Sequence, residues 1–475
     1  MLQTPSVTAS DAAAVSQTMD AATTAATAAS GSSGRVFIET FGCQMNLADT
    51  EVVLARLAEA GYAQVDTPEA ANLVLLNTCS VRDHAEAKVR SRLGVLRIQK
   101  RANPGLKIGV MGCMAQREKS DLLRRNPHID LIVGTDQFVH MPQLLAQLDQ
   151  QQRVVATDFG DFEARPWPAQ RAAGPNAFVP IMRGCNYACT YCIVPYTRGA
   201  EKSRDPALIE TEVRAAVAAG HVQVTLLGQT VDAYGKTLGD GTTLAGLLRR
   251  LHAIDGLQRI RFITSHPKDI TDDLLHTMAE LPKVAKHLHV PAQCGSDRIL
   301  RLMGRRYTRD DYLRFAERAR RIIPGVELQS DFIVGFPHES DADFADTVSL
   351  METVRFNWSY VFTYSPRPGT PATRLDDDVP EAVKKDRCHR LLNLQMSHQT
   401  AQYEALKGAT RQVLIDGPSS GDPLMLHGRS EGNLHIVLPR QASDGSNRDH
   451  LIGTIVPVRI ERSTALTLFG DIVPT

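Results

Sequence analysis

Short apolar runs alternate with amphipathic stretches from residue 35 to about residue 150. We predict strands at residues 36–40, 73–76, 108–111 and 131–133, and helices between them, for instance at 48–60 and 82–99. Repeated strand–helix units of this kind are typical of a parallel sheet. The first region is therefore predicted to be an α/β domain with a parallel sheet.

The same alternation resumes at residue 178 and continues to about residue 365. Predicted strands lie at 178–182, 222–227, 260–264, 287–290, 327–334 and 359–363, with helices such as 206–219 and 310–323 between them. Six strand–helix units predict a partial (β/α)6 barrel. The chemistry of such barrels gathers at the carboxyl ends of the strands.

The last hundred residues change in character. Residues 381–406 are predicted to form one helix with Lys384, Lys385, Arg387 and Arg390 exposed, and short strands follow at 412–416, 435–438 and 454–460. Several strands among Gly and Ser predict a small antiparallel β-barrel of the oligonucleotide-binding type. The predicted organisation is a disordered tail (1–34), a first domain (35–150), a linker (151–176), the barrel (177–404) and the terminal domain (405–472).

Composition and charge limit the possible locations. The chain has 475 residues, is 43% hydrophobic and carries 53 basic and 53 acidic residues, so any polyanion must bind to local patches. No apolar run is long enough to span a membrane. The first 34 residues contain no Lys or Arg and so match neither a secretory signal nor a transit peptide. With cysteines clustered as if for metal, we expect a reducing, cytoplasmic location.

The most informative residues are Cys185, Cys189 and Cys192, three of only 8 cysteines, which fall within eight positions. Three thiolates can hold a [4Fe–4S] cluster and leave one iron without a protein ligand. An open coordination position is the mark of a catalytic metal site. A chance cluster or a zinc knuckle is the alternative interpretation.

A second cysteine set is spread over the first domain. Cys43, Cys79 and Cys113 each follow the carboxyl end of a predicted strand. Ligands bind beyond those ends in open parallel sheets, so the three thiols can converge. This predicts a second cluster, against the alternative that each is a small buried hydrophobe.

These motifs carry a family resemblance. The spacing Cys-x3-Cys-x2-Cys, with Tyr191 before the last cysteine, resembles the radical S-adenosylmethionine (SAM) superfamily. With residues 40–46, 77–82, 183–199 and 364–371, the chain resembles the methylthiotransferases, closest to the tRNA-2-methylthio-N6-dimethylallyladenosine synthase branch. The terminal barrel resembles the RNA-binding TRAM domain. The chain departs from the branch at Cys294 (usually Ser), at residues 338–340 (usually Gly-Glu-Thr) and at 428–435, which lack an Asn-Arg pair.

The resemblance implies an enzyme that replaces the hydrogen at carbon 2 of N6-dimethylallyladenosine, position 37 of the tRNA anticodon loop, with a methylthio group. It implies two [4Fe–4S] clusters facing one another, and SAM used both as methyl donor and as radical source. An external low-potential electron donor is needed, and nothing in the sequence demands more than a monomer. A base can reach such a site only when it is unstacked.

Individual ligand contacts are predicted at strand ends of the barrel. Candidates for SAM are Tyr191, Gly228 and Gln229, Ser265, Gln293 and Ser296, and Gly335 and Phe336. The densest basic stretch, residues 297–321, has nine arginines and four acids. Within it, Arg305 and Arg306 lie nearest a strand end and are the candidates for tRNA phosphate contacts.

Two other functions are compatible with the motifs. One is a methylthiotransferase acting on threonylcarbamoyladenosine in tRNA or on a ribosomal-protein aspartate; residues 42–46 and 195–198 favour the dimethylallyladenosine branch instead. The other is an RNA-binding protein whose clusters are structural or sense redox state. Cleavage of SAM would separate an enzyme from such a binding protein.

Overall fold

The computed structural model describes residues 34–80, 83–160 and 171–473. The chain forms two compact units, one ending at Gly160 and one beginning at Asp161. The predicted tail up to residue 33, the start of the predicted helix at Arg82 and part of the predicted linker lie outside the described residues. None of the described helices is both long and apolar enough to cross a membrane.

The first unit is built on a six-stranded parallel sheet with five helices. Its strands are β1 Gly34–Thr40, β2 Tyr62–Gln64, β3 Leu73–Thr78, β4 Lys107–Gly112, β5 Leu131–Val133 and β6 Val154–Ala156. Its helices are α1 Gln44–Glu59, α2 Asp83–Ala102, α3 Cys113–Glu118, α4 Ser120–Arg125 and α5 Met141–Gln150. The strand order is β2-β1-β3-β4-β5-β6. The predicted parallel sheet is confirmed.

The sequence prediction missed the two outermost strands of this sheet. β2 and β6 have three residues each and pair on one side among the described strands. β6 lies in the stretch predicted as linker, yet it pairs in parallel with β5. Edge strands this short carry too little periodicity to be recognised from the sequence. The buried strand β3, by contrast, reads as a continuous apolar run.

The second unit contains the partial barrel. Its parallel strands are β7 Asn176–Pro180, β10 Gln223–Leu227, β11 Arg259–Phe262, β12 His287–His289, β13 Glu327–Val334 and β14 Trp358–Thr363, with a short hairpin of β8 Met182–Arg183 and β9 Lys202–Ser203. Its helices are α6 Val194–Arg198, α7 Pro206–Ala218, α8 Leu244–His252, α9 Asp272–Glu280, α10 Asp297–Leu302, α11 Arg309–Ile322 and α12 Asp341–Val354.

The six barrel strands follow one another in chain order. They form the three-stranded sheets β7-β10-β11 and β12-β13-β14. A parallel bridge between Ile260 and Val284 and a hydrogen bond from the Ser265 N–H to the His289 carbonyl, 3.0 Å long, connect the two. Alternate strand residues such as Val224, Ile260 and Phe332 pack outward into one core with the helices. The predicted partial barrel is confirmed.

The long helix α13, Glu381–Ala405, corrects one prediction about charge. Lys384 and Arg387 were predicted to be exposed, but each is only 4% exposed. The Lys384 ammonium donates to Asp377 at 2.7 Å, and the Arg387 guanidinium pairs with the buried Glu339 at 2.8 Å. The prediction was wrong for these two residues because α13 packs its charged face onto the barrel rather than toward water.

The chain ends in a closed five-stranded barrel. Its strands are β15 Thr410–Pro418, β16 Met425–Ser430, β17 His435–Pro439, β18 Ile455–Ser463 and β19 Leu468–Ile472, in the order β15-β16-β17-β19-β18. Val413, Ile436 and Ile460 fill its core. The predicted small barrel is confirmed, although β17 and β19 pair in parallel rather than antiparallel. Full closure removes the exposed sheet edges.

Breaking the Arg387–Glu339 pair should destabilise the second unit. Burial raises the pKa of Glu339, and Arg387 opposes that rise. In Arg387→Met, the folded-state pKa of Glu339 rises further above its unfolded value, so the lost stability should grow with pH. We expect a loss of about 3 kcal/mol at pH 8 and a smaller one at pH 5.

Thermal unfolding at both pH values measures this loss. Arg390→Met is the matched control, because Arg390 is on the same helix but its side chain is 59% exposed. Equal melting temperatures for the two variants would contradict a stabilising role for the buried pair.

Candidate active site

The loop that carries Cys185, Cys189 and Cys192 follows the first barrel strand, at the carboxyl end of the barrel. Gly184 begins the loop with φ of +76°, and a Cβ there would overlap the carbonyl oxygen of Ala200. Its N–H donates to the Gln229 side chain at 2.6 Å, and the Cys185 N–H donates to the Gly199 carbonyl at 3.2 Å. Glycine is therefore needed where the loop starts.

The far side of the loop is attached to the end of α10. Thr190 donates through its N–H to the Met303 carbonyl at 2.9 Å and through its hydroxyl to the Leu302 carbonyl at 2.8 Å. The Cys192 N–H donates to the Cys189 carbonyl at 3.1 Å. Backbone contacts at both ends thus hold the three cysteines in one turn.

The three thiols affect one another electrostatically. Burial raises the pKa of Cys192 to about 12, and the nearby Cys189 and Cys185 raise it further by charge repulsion. Burial also raises the pKa of Cys185, whose sulfur lies 3.4 Å from the Thr230 hydroxyl. Metal cations deprotonate coordinating thiols outright. One buried and two half-buried thiols in one turn thus fit a site that is completed by iron.

Arg305 lies against this tripod. Its Nη1 is 3.4 Å from the Cys189 sulfur, and its Nη2 donates to the Pro291 carbonyl at 3.2 Å. Its guanidinium also covers the Tyr307 ring at 4.9 Å. Arg305 was predicted as a phosphate contact, but its side chain is directed at the cysteines, while the neighbouring Arg306 is exposed.

Most other arginines of the basic stretch are engaged within the protein. Arg298 pairs with Asp343, Arg314 with Asp311, and Arg318 with Asp272. Two of these acids, Asp343 and Asp272, lie outside the stretch, so they offset part of its net positive charge.

The predicted SAM contacts all lie near the carboxyl ends of the barrel strands, but some of them are already engaged within the protein. The Ser296 hydroxyl donates to Asp343 at 2.6 Å and caps α10. Phe336 is fully buried against Tyr364 and Tyr191. Gly335, with φ of +69°, packs directly on Lys384 of α13. These three positions are explained by packing within the protein.

Four other candidates lie just after neighbouring barrel strands. Gly228 and Gln229 are half-buried directly after β10. The Ser265 hydroxyl is buried without a partner among the described residues. Gln293 is half-buried with φ of +68°, and Thr264, beside Ser265, also has φ of +68°. Left-handed backbone at residues other than glycine concentrates at functional sites.

Sequence reasoning missed a polar cluster beside Cys185. The rings of Tyr187 and His266 stack at 3.9 Å, and the Tyr187 hydroxyl donates to Asp269 at 2.7 Å. Burial depresses the pKa of His266, so this imidazole is neutral. The Tyr187 N–H lies 3.4 Å from the Cys185 sulfur, which connects the cluster to the tripod.

Two buried carboxyl groups belong to the same region. The Asp232 carboxylate accepts a hydrogen bond from the backbone N–H of His266 at 2.7 Å. The backbone N–H of Glu201 donates to the Asn186 side chain at 3.0 Å. Burial raises the pKa of both carboxyl groups, that of Asp232 strongly. One oxygen of each has no partner among the described residues. The pair could offset the charge of a cationic ligand.

The second cysteine set lies in the first unit, as predicted, beyond three neighbouring strands. Cys43 follows β1, Cys79 follows β3 and Cys113 follows β4. Gly42, with φ of +142°, lies so close that an added Cβ would be 2.6 Å from the Cβ of Cys79. The parallel pairing thus brings these residues to the same sheet edge.

Two asparagines connect the loops of this edge. Asn46 donates through Nδ2 to the Asn77 side-chain oxygen at 3.0 Å, and Asn77 donates back to the Asn46 carbonyl at 2.7 Å. The Asn46 side-chain oxygen lies 3.3 Å from the Cys43 sulfur. Both asparagines lie inside the cysteine motifs, and this position was the sequence feature that marked them. Their roles were not predicted from the sequence.

Single-ion coordination does not describe these sites. Among the described residues, no group of three or more His, Cys, Asp or Glu side chains is arranged around one metal ion. In an iron–sulfur cluster each thiolate binds a different iron, so the ligand sulfurs need not surround one point.

Two family profiles match the chain. The profile of the radical SAM superfamily covers residues 179–351, and that of the uncharacterized protein family UPF0004 covers residues 35–134. The partial barrel, with its cysteine loop after the first strand, is thus a radical SAM domain. Membership of that class implies SAM and a [4Fe–4S] cluster as cofactors.

Curated relatives refine the identification. The chain is 44% identical over 440 residues to the tRNA-2-methylthio-N(6)-dimethylallyladenosine synthase of Moorella thermoacetica, covering 92% of this chain and 98% of the relative. It is 45% identical to the synthase of Geobacter metallireducens over 92% of this chain and 98% of the relative. The chain belongs to the tRNA-2-methylthio-N(6)-dimethylallyladenosine synthase family.

Solved structures support the fold alone. The radical SAM methyltransferase TsrM of Kitasatospora setae has a TM-score of 0.54 at 14% identity, over 71% of this chain and 76% of that chain. The radical SAM enzyme OxsB has a TM-score of 0.52 at 11% identity, over 75% of this chain and 56% of that chain.

Arg305 should tune the reduction potential of the tripod cluster. A cation beside a ligand sulfur stabilises the reduced, more negative state, so Arg305→Met should make the potential more negative by on the order of 60 mV. A redox titration of the reconstituted protein, followed by electron paramagnetic resonance, measures this shift. Arg301→Met, which removes an exposed arginine, should leave the potential in place. A potential that is unchanged or more positive in Arg305→Met would contradict this role.

Proposed function

We propose that this protein adds a methylthio group to carbon 2 of N6-dimethylallyladenosine at position 37 of tRNA. One observation carries the proposal. Two cysteine triplets, each at the carboxyl ends of parallel strands, occur in a chain 44% identical over 92% of its length to a synthase of that name. The substitution at carbon 2 requires removal of a hydrogen that is not appreciably acidic. General acid–base catalysis cannot supply this step.

Cys185, Cys189 and Cys192 would hold the cluster that binds SAM. When bound, the cluster and SAM supply a carbon radical that removes a hydrogen atom from an unactivated carbon. The loop contacts at Gly184 and Thr190 orient the three sulfurs. Arg305 offsets the negative charge that the thiolates gather on one side of the barrel.

Asp232 and Glu201 would offset the positive charges of SAM, its ammonium and its sulfonium. Their unpartnered oxygens are buried in the polar cluster beside Cys185. Gln229, Ser265 and Gln293, at neighbouring strand ends, would supply hydrogen bonds to the rest of SAM. Burial of this cluster excludes water, which strengthens each electrostatic contact.

Cys43, Cys79 and Cys113 would hold a second [4Fe–4S] cluster, from which sulfur is delivered. Asn46 and Asn77 would position the loops that carry Cys43 and Cys79, because their reciprocal hydrogen bonds join those loops. SAM would then be used twice, as methyl donor and as radical source.

The anticodon stem-loop of tRNA would be the substrate, with the modified base unstacked. Extraction of a base costs a few kcal/mol, less in a loop than in a duplex. Arg306 and the terminal barrel would provide the phosphate and backbone contacts. We further propose that the protein works as a monomer in the cytoplasm with an external low-potential electron donor.

Product analysis tests the function directly. The anaerobically reconstituted protein is incubated with SAM, a strong reductant and tRNA that carries dimethylallyladenosine, and the nucleosides are analysed by mass spectrometry. We expect a mass gain of one methylthio group on that nucleoside and none on tRNA without the dimethylallyl group. A gain only on threonylcarbamoyladenosine, or cleavage of SAM without any RNA product, would refute the proposal.

Iron counting tests the second cluster. Cys79→Ser should lose about half of the bound iron and form no methylthio product, because one of two clusters lacks a ligand. Cys388→Ser is the control, since that half-buried thiol donates to the Val361 carbonyl at 3.8 Å and belongs to neither cysteine triplet. Full iron content in Cys79→Ser, or equal product from it, would rule out the second cluster.

A further inference from the structure

The interior face of the barrel is polar. Strand residues that alternate with the outward apolar ones include Gln223, Arg259, His287, Gln329 and Asp331. These residues hydrogen-bond across the interior face, for instance His289 to Asp331 at 3.0 Å and His287 to Gln329 at 2.9 Å. Closed (β/α) barrels fill this space with branched apolar side chains. The interior of this open barrel is instead built to receive polar groups.

Arg261 is the exceptional member of this face. It is 6% exposed, its Nε has no partner, and no hydrogen bond or ion pair joins its side chain to any residue that the structure describes. Arg259, two positions earlier on β11, donates to the carbonyls of Arg429 at 2.7 Å and Gln412 at 3.0 Å. One arginine of the pair therefore fixes the terminal barrel, and the other is a buried cation without a direct partner, on which Asp416 acts only through its charge.

Burial and the charges of Arg429 and Arg259 lower the pKa of Arg261 to about 9. A buried charge without a partner is a cost to folding. Proteins retain such costs where a ligand offsets them. Because the Arg261 guanidinium is a cation and a hydrogen-bond donor, the group bound here would be an anion that accepts hydrogen bonds.

Aromatic side chains line the edge of the same interior face. Trp358, Tyr360 and Phe362 alternate along β14 on the interior face, in register with Gln329, Asp331 and Ile333 of β13. Tyr360 is 40% and Phe362 41% exposed, and their rings lie 6.4 Å apart at an angle of 22°. Tyr360 is one of the groups that act on the pKa of Arg261.

Exposed rings beside a cation on a sheet surface are typical of proteins that bind unpaired nucleotides, since bases stack on aromatic side chains and phosphates pair with arginine. β14 is the last strand of the open barrel and pairs on one side among the described strands. A nucleotide that remains connected to its neighbours in an RNA strand could enter at this edge.

We propose that β14 and Arg261 form a nucleotide site for the RNA substrate, with an unpaired base stacked on Tyr360 and Phe362 and a flanking phosphate bound by Arg261. This inference rests on the proposed function, because it takes RNA as the source of the nucleotide. Charge complementarity and the exposed rings are what select this occupant.

Binding of a fluorescently labelled anticodon stem-loop to the reconstituted full chain tests the site. Tyr360→Leu should weaken binding about tenfold, the loss of one base–aromatic stack. Arg261→Met should weaken binding and reduce the slope of log Kd against log salt by about 0.7, the value for one phosphate on a single strand. The matched controls are Phe159→Leu, 48% exposed in the first unit, and Arg314→Met, exposed and paired with Asp311.

Thermal unfolding separates binding from structure. Arg261→Met should melt no lower than the unsubstituted protein, because it removes an unpaired buried charge. A lower melting temperature with unchanged RNA affinity would assign Arg261 a structural role and overturn the proposal.

Three further outcomes are decisive. Unchanged affinity in both variants, with methylthiolation intact, would overturn the nucleotide site and leave the proposed function standing. Affinity lost in the variants, with no methylthiolation by the unsubstituted protein, would support the site and refute the function. Competition by AMP or inorganic phosphate as effective as by the stem-loop would show that a free anion, not RNA, is the occupant, and would overturn the proposal.

Discussion

Parallel pairing of neighbouring strands is the constraint on which the first cysteine site depends. Thr40 pairs with Asn77, and Thr78 pairs with Gly112, so the three chain segments leave the sheet at the same edge. Cys43, Cys79 and Cys113 therefore follow strands that end at one edge of the sheet, although up to 70 residues separate them. A one-residue change of register would turn every side chain of a strand to the opposite face. The register therefore fixes the position of each thiol more strictly than the loops do.

The tripod of the second unit depends on the barrel in a different way. Its three cysteines are close in sequence, so the sheet needs only to hold the loop, and it does so at Gly184 and at Thr190. The electrostatic balance comes from residues outside the cysteine triplet. Arg305 reaches Cys189 from beyond α10, Asp232 follows β10, and Glu201 directly precedes β9. The local motif supplies sulfur, and the fold supplies the charges that a redox centre and a cationic ligand require.

Periodicity and motif spacing predicted what is local or strongly repeated. The parallel sheet, the six barrel strands, the long helix and the small terminal barrel followed from apolar alternation, and the strand-end positions of all six cysteines followed from those elements. The direction of a long side chain did not follow. Lys384 and Arg387 were assigned to the surface and are buried, and Arg305 was assigned to phosphate and lies on a thiol. Such outcomes depend on tertiary packing, which no local pattern encodes. His338 shows the reverse case. It has φ of +67° where the resembling branch usually has glycine, and glycine at a position indicates a left-handed backbone.

The buried charged groups of the second unit are of two kinds: some join elements of the fold, and others lie beside the proposed ligand sites. Arg387 pairs with Glu339 and Asp341, and Arg259 donates to carbonyls of the terminal barrel, so both guanidinium groups hold elements together. The Arg261 guanidinium makes no such contact with a described residue, and Asp232 and Glu201, beside the tripod, each keep one buried oxygen without a partner there. Desolvation makes such groups expensive, and satisfied hydrogen bonds elsewhere in the same barrel show that partners were available to the fold. In the proposed function Asp232 and Glu201 face a cation beside the tripod, and in the proposed nucleotide site Arg261 faces an anion in the barrel interior.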